Sequence, residues 1–259
     1  MIYINSWIGR LGNNITQIIN ALYFAHYKKI NIIKLPYHPL FSIREIIIGD
    51  VITNKSEKFS HNFFSRRKII SFYKVSDNIF ENKINIKKYL QNLIKYDILK
   101  ENINENDLTI HIRSGDVYSK HPHPGWIQPP LSFYINIIES NNWEKIFIIS
   151  EDNKSPVLKP LLDKYKKIIF EIRDLKKDIY YILNSKNVCF GMGSFIPSLL
   201  LFNNNIKKIY YPEYCHRFLI DLIDYENKYT YKLDNYIKKG EWINTSKQRN
   251  IIINYEKFK

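Results

Sequence analysis

Cysteine is scarce in this chain: among 259 residues only Cys189 and Cys215 carry a thiol. Two cysteines cannot build a disulfide framework, and their spacing does not match a structural zinc site. Cys189 lies inside an apolar run, which favours a buried free thiol. The cysteine content therefore predicts a protein of a reducing compartment.

Long apolar runs are also missing. No stretch reaches the roughly 18 uninterrupted apolar residues that read as a membrane-spanning helix. Residues 1–7 lack the basic region and the continuous apolar stretch of a signal peptide. The 45% hydrophobic content is nevertheless ample for a buried core. We therefore expect a soluble, cytoplasmic protein.

Dense basic runs and nucleic-acid-binding motifs are absent, although the formal net charge is +14. A surface of this charge attracts polyanions such as nucleic acid, acidic lipid or phosphorylated small molecules. The charge leaves open a non-catalytic protein that binds RNA or lipid, and a loose peripheral association with an anionic membrane. Because the lysines are scattered, charge alone does not identify the partner, and we expect no specific nucleic acid.

Apolar strands alternate with amphipathic helices in both halves of the chain, which predicts an α/β protein with parallel sheets covered on both faces. We predict an N-terminal lobe at residues 1–104 and a C-terminal lobe at residues 105–234. A tail at residues 235–259 is expected to pack back on the N-terminal lobe. Within the first lobe the pattern predicts a strand at residues 68–70 and a helix at residues 84–99.

A predicted strand at residues 108–111 leads into a candidate anion site. His111 and Arg113 lie two residues apart and share a face, and a Ser-Gly turn then leads to Asp116. A guanidinium at the carboxyl end of a strand suits a phosphate or a pyrophosphate. The simpler alternative is a surface arginine paired with Asp116.

Two other segments border the predicted strand ends. Near the N-terminus, a Gly-x-x-Gly turn lies between a strand and a periodic helix, where it either presents N–H groups to an anion or serves packing alone. Asn13 or Asn14 could cap this helix or reach into a cleft. The loop at residues 118–130 contains four prolines, and we expect Trp126 and His123 to shape an acceptor pocket there rather than a metal site.

Three motifs together resemble the fucosyltransferase superfamily, which includes α-1,2-, core α-1,6- and protein O-fucosyltransferases. They are Gly-Arg-Leu-Gly-Asn-Asn at residues 9–14, His-x-Arg-x-Gly-Asp at residues 111–116, and Gly-Ser-Phe at residues 193–195. A Ser-Glu-Asp segment at residues 150–152 is similar to the family's Ser-Asp-Asp segment, with Glu151 in place of an aspartate. The resemblance covers most of residues 1–212.

The resemblance implies a GT-B-like fold with two facing Rossmann-like lobes. It implies inverting, metal-independent transfer of a sugar to a glycan hydroxyl, with GDP-fucose as the first-choice donor and no cofactor. The Glu151 departure leaves another GDP- or UDP-linked sugar open. The resemblance assigns catalytic roles to Arg113, Asp116 and Asn13. The expected substrate-binding residues are Arg10, Gly12, His111, His123, Trp126, Ser150, Glu151, Asp178, Gly193, Ser194 and Phe195.

Overall fold

The computed structural model describes residues 1–49, 57–81, 84–215, 217–223 and 227–256. The chain forms two compact units, residues 1–96 and residues 97–259, and each unit has its own sheet. Both sheets are mainly parallel and both carry helices, so the α/β class is confirmed. The division between the units falls slightly before the boundary that the sequence placed after residue 104.

The first unit is built on a four-stranded sheet with the order β3-β2-β1-β4. Strand β1 is parallel to β2 and β4, and the edge strand β3 is antiparallel to β2. The isoleucines that define the apolar face of α1 are fully buried, as the periodicity predicts. The elements are β1 (Ile2–Ile4), α1 (Leu11–Lys28), β2 (Ile32–Lys34), β3 (Glu45–Ile47), β4 (Phe59–His61), α2 (Arg66–Tyr73) and α3 (Ile86–Leu90).

Two predicted elements of the first unit are wrong. Residues 68–70 lie in helix α2 because Ser65 caps the helix, its side chain accepting a hydrogen bond from Lys68 N at 3.4 Å. The predicted helix at residues 84–99 is limited to the short helix α3. Its chain leaves the helix at Gln91 and pairs with residues 41–42 instead, where Ser42 N donates to Leu93 O at 2.8 Å. Tertiary pairing thus overrides the local helical pattern.

The second unit is built on a six-stranded sheet in which every pair of neighbouring strands is parallel. Its strands are β5 (Leu108–His111), β6 (Ile146–Ile149), β7 (Ile168–Phe170), β8 (Asn187–Phe190), β9 (Lys208–Pro212) and β10 (Lys228–Tyr231). Its helices are α4 (Leu131–Glu139), α5 (Leu158–Lys164), α6 (Leu175–Asn184), α7 (Phe195–Leu200), α8 (Arg217–Asp221) and α9 (Ser246–Asn254).

The strand order of this sheet creates a switch point beside β5. The chain runs from β5 through β6 to β7 on one side, then returns to place β8 on the other side of β5. Counted from β5, the order is 3-2-1-4-5-6, which is that of Rossmann-like sheets. In such sheets ligands bind outside the carboxyl ends of the two strands at which the order reverses. The topology therefore predicts a ligand site at the carboxyl ends of β5 and β8.

The C-terminal tail packs within the second unit, which corrects the expectation that it returns to the N-terminal lobe. Trp242 is fully buried in the core of the second unit, and its indole Nε1 donates to Val117 O at 2.9 Å. Helix α9 packs on α4 and buries Ile252. The side chains of Trp242 and Ile252, both buried in this core, hold the tail in place. The last three residues of the predicted tail, 257–259, lie outside the described part of the chain.

None of the helices in the described residues combines the length and the apolar character needed to cross a membrane.

Candidate functional site

The ends of three neighbouring strands are aligned in the second unit. In the register of the sheet, His111 of β5 lies beside Ile149 of β6 and Phe190 of β8. The segments that follow these residues therefore leave the sheet at one edge. These segments contain most of the site residues that the sequence predicts for the second unit.

Arg113 lies at the centre of this edge. Its guanidinium carbon is 4.2 Å from the centroid of the Trp126 ring, and its Nη2 forms an ion pair with Asp116 at 3.2 Å. A Cβ atom added to Gly193 would lie 3.3 Å from Arg113 Nη1, so the guanidinium also approaches the backbone that follows β8. Arg113 pairs with Asp116 and also lies at a strand end. The sequence analysis gave these two arrangements as alternatives, and the structure contains both.

The turn that carries Arg113 is tied to the neighbouring strand end by Asp152. The Ser114 hydroxyl donates to Asp152 Oδ1, and Gly115 N approaches the same oxygen at 3.4 Å. Partial burial of Asp152 opposes its ionisation, but hydrogen bonds from Lys154, Ser114 and the Gly115 amide lower its pKa to about 2. Asp152 is thus ionised at neutral pH and holds the turn in place.

Glycine is favoured at the position after Ser114. Gly115 has a φ of +62°, a conformation that other residues adopt only with strain, and a Cβ there would collide with the carboxylate of Glu151. The close approach places Glu151 against the turn that follows Arg113. Ser150, in contrast, is buried and donates to Asp152 O at 2.8 Å, so its hydroxyl shapes the turn from within.

His111 adds no positive charge to the site. Burial, and then the nearby Arg113 guanidinium, lower the pKa of His111 to about 3, so its imidazole is neutral at physiological pH. The ring packs against Phe195 with centroids 5.5 Å apart. His111 and Phe195 therefore join the end of β5 to the first turn of α7, next to Gly193 and Ser194.

The proline-rich loop folds over the ends of the strands. The exposed ring of His123 packs on Trp126 with centroids 5.1 Å apart, which extends the aromatic surface under Arg113. Further along the loop, a Cβ added to Gly191 would lie 2.6 Å from Pro129 Cδ. The loop thus lies directly against the backbone that follows β8 and fixes Trp126 at this edge.

Asp178 lies apart from these residues. It is in the first turn of α6, which follows β7, and β6 separates β7 from β5. Burial raises the pKa of Asp178 to about 7, while the nearby Arg173 guanidinium opposes this rise. The structure does not join Asp178 to the Arg113 group, although it lies toward the same edge of the sheet.

The raised pKa of Asp178 predicts a pH-dependent stability. A carboxyl whose pKa is higher in the folded state stabilises the fold fully below its unfolded value near 3.8, and the effect is lost as the pH rises through about 7. We expect the unfolding free energy of Asp178→Asn to change less between pH 5 and pH 8 than that of the wild type. Urea unfolding of both proteins at the two pH values measures this difference, and identical changes would contradict the prediction.

In the first unit, the N-terminal glycine turn leads directly into helix α1. Gly9 has a φ of +73°, Arg10 is the N-cap residue, and α1 begins at Leu11. Asn13 and Asn14 lie inside the first turn of the helix, so neither is the cap. Gly12 is buried, and a Cβ on Gly9 would meet the Asn13 side chain. Arg10, Gly12 and Asn13 thus share the start of α1 at the carboxyl end of β1.

A row of buried amides on α1, which the sequence analysis overlooked, positions this turn. Gln17 accepts a hydrogen bond from Ile8 N at 2.8 Å and donates to the carbonyls of Ser6 and Asn62. Asn14 donates to Ile8 O at 3.2 Å. These bonds fasten the loop after β1 to the loop after β4. The signal was present as polar residues at three-residue spacing within an apolar helix.

Comparison of the chain with protein-family models, curated proteins and solved structures finds no match.

Proposed function

We propose that the chain is an inverting, metal-independent glycosyltransferase that uses a nucleotide-diphosphate sugar, with GDP-fucose as the first-choice donor and a glycan hydroxyl as the acceptor. The supporting observation is the position of the Arg113 guanidinium, which lies between Trp126 and Gly193 at the switch point of a Rossmann-like sheet. This is the place where sheets of this topology bind nucleotides.

The chemistry of the transfer requires such a group. The bond between the anomeric carbon and the phosphate oxygen breaks, and its electron pair goes to the leaving diphosphate. The acceptor oxygen forms the new bond to the anomeric carbon and releases its proton. In the proposal, Arg113 meets the charge that grows on the diphosphate, because preorganised donors at such a position stabilise the transition state.

Asp116 and Trp126 support this role by fixing the guanidinium before the donor arrives. The ion pair and the contact with the Trp126 ring restrict the guanidinium, so less conformational entropy is lost on binding. Asp116, Glu151 and His123 are the basic groups around this edge that could take the acceptor proton. The backbone at Gly193 and Ser194 supplies further donors for the phosphates in this proposal.

The larger arrangement belongs to the proposal as well. In a GT-B arrangement the first unit faces the second across the donor, and Asn13 contributes its amide from the start of α1. The mainly parallel sheet within each unit and the glycine turn after β1 support a Rossmann-like character for each lobe in this proposal. Trp126 and His123 then border the acceptor.

Calorimetric titration of the full chain with GDP, UDP and GDP-fucose tests the donor class. We expect GDP and GDP-fucose to bind more tightly than UDP. Tighter binding of UDP would move the assignment to a UDP-sugar enzyme. Salt-dependent RNA binding without a response to any nucleotide would replace the enzyme with a polyanion-binding protein, the class that the +14 charge leaves open.

A further inference from the structure

Helix α2 in the first unit has one face whose orientation is fixed by packing. Ile69 is fully buried, and the Tyr73 ring lies 4.6 Å from that of Phe24 on α1. The Arg66 guanidinium lies 4.3 Å from the centroid of the Phe80 ring. Residues 66, 69 and 73 therefore define the inner face of α2, and the opposite face points away from the core.

The opposite face combines aromatic and basic side chains. Phe72 is 66% exposed and Phe64, just before the N-cap, is 39% exposed. Arg67 and Lys68 in the first turn are also exposed, and exposed Lys74 follows the last turn. We call Phe64, Arg67, Lys68, Phe72 and Lys74 the α2 outer face.

Three of the five residues of the α2 outer face carry a positive charge. Among the residues that the structure describes, no carboxylate forms an ion pair with Arg67, Lys68 or Lys74. Lysines elsewhere on the surface commonly do so, as Lys164 does with Glu139 at 2.8 Å and Lys207 with Glu105 at 2.7 Å. Lys68 also lies close enough to His61, which packs against Phe72, to lower the pKa of that histidine after the larger effect of burial. The cations and an exposed phenyl ring thus form one patch.

We infer that the α2 outer face docks the protein onto an anionic lipid surface. Exposed phenylalanine side chains can enter the boundary of the acyl chains while the neighbouring cations meet acidic headgroups, which is the composition of interfacial helices. Single-stranded RNA is instead bound in positively charged grooves with stacking aromatic rings. The patch is the outer side of a single helix, so charge and apolar character together favour lipid. This inference does not depend on the proposed donor.

The test is co-sedimentation of the full chain with two kinds of vesicle, one of pure phosphatidylcholine and one with about 30% phosphatidylserine. We expect binding only to the anionic vesicles and a decrease at high salt. The double variant Lys68→Glu, Phe72→Ser should bind about 100-fold more weakly, since each unit of charge contributes about fivefold and the phenyl ring adds more. Glutamate at position 68 can complete a capping box with Ser65, so the helix is retained.

The matched control is the double variant Lys247→Glu, Ile243→Ser in the second unit. It makes the same change of charge and removes an apolar side chain that is 61% exposed. We expect vesicle binding within about twofold of the wild type for this control. Equal losses in both double variants would overturn the inference, because binding would then follow net charge alone. Binding of the wild type to single-stranded RNA but not to anionic vesicles would also overturn it.

Discussion

Arg113→Ala is expected to lower the rate of sugar transfer by about 10²–10³, because loss of a single preorganised donor to a developing oxyanion has an effect of this size. The side chain is partly exposed and lies at a strand end rather than in the core, so the variant should remain folded. The measurement is the initial rate with a GDP-sugar, together with the unfolding midpoint of the same preparation. The affinity for GDP should fall in parallel.

Two further variants separate the role of Arg113 from a general loss of charge. Arg113→Lys retains the charge but loses the planar guanidinium whose Nη2 pairs with Asp116, so we expect an intermediate rate. Arg249→Ala removes another guanidinium that stacks on an aromatic ring, since Arg249 lies 5.4 Å from the Tyr118 ring centroid but belongs to α9. Its rate should remain near that of the wild type. Normal turnover by a folded Arg113→Ala protein would refute the assignment.

Trp242→Ala is expected to destabilise the second unit by about 3–5 kcal/mol, the usual cost of removing a fully buried large aromatic side chain. The indole is 0% exposed, and its N–H bond to Val117 O would also be lost. Since Val117 lies in the short helical turn that contains Asp116, the variant should weaken nucleotide binding as well. Urea unfolding followed by far-UV circular dichroism measures the loss of stability.

The control for Trp242 is its exposed neighbour. Ile243→Ala changes a residue that is 61% exposed, so its unfolding free energy should stay within about 0.5 kcal/mol of the wild type. Trp242→Phe keeps most of the ring volume but loses the hydrogen bond. Its unfolding free energy should lie between those of Trp242→Ala and Ile243→Ala. A Trp242→Ala protein as stable as Ile243→Ala would show that the tail contributes little to this core.

The sequence predicted those parts of the fold in which local pattern and tertiary packing agree. The segments that form β6 and β8 contain continuous apolar runs, and the β5 segment alternates between apolar and polar residues. These patterns predicted the three strands and their positions. The Ile-Ile pair at residues 69–70 fits a strand and a helix equally well, and only the Ser65 cap decides between them. The tail was placed on the wrong unit because a single buried tryptophan contains no information about which core it fills.

The sequence predicted the candidate site to a similar extent. A strand followed by Arg113, a glycine turn and an acidic residue indicated an edge site, and the parallel register then brings Trp126 and Gly193 to the same place. The anchoring role of Asp152 was not predicted, because it depends on which strand lies next to β5. Sequence spacing indicates which side chains share a face of one strand, whereas strand order determines which side chains of different strands are in contact.

The burial of Trp242 has a consequence for how the protein is made. Residues 1–96 form a compact unit with its own sheet, so we expect them to close their core before synthesis of the second unit ends. The core of the second unit, in contrast, is complete only when residues 242 and 252 have emerged, since Trp242 and Ile252 both belong to it. Until then the nascent second unit exposes apolar surface that is a target for chaperones. Synthesis therefore completes the interior of the second unit last, with a tryptophan and an isoleucine of the C-terminal tail.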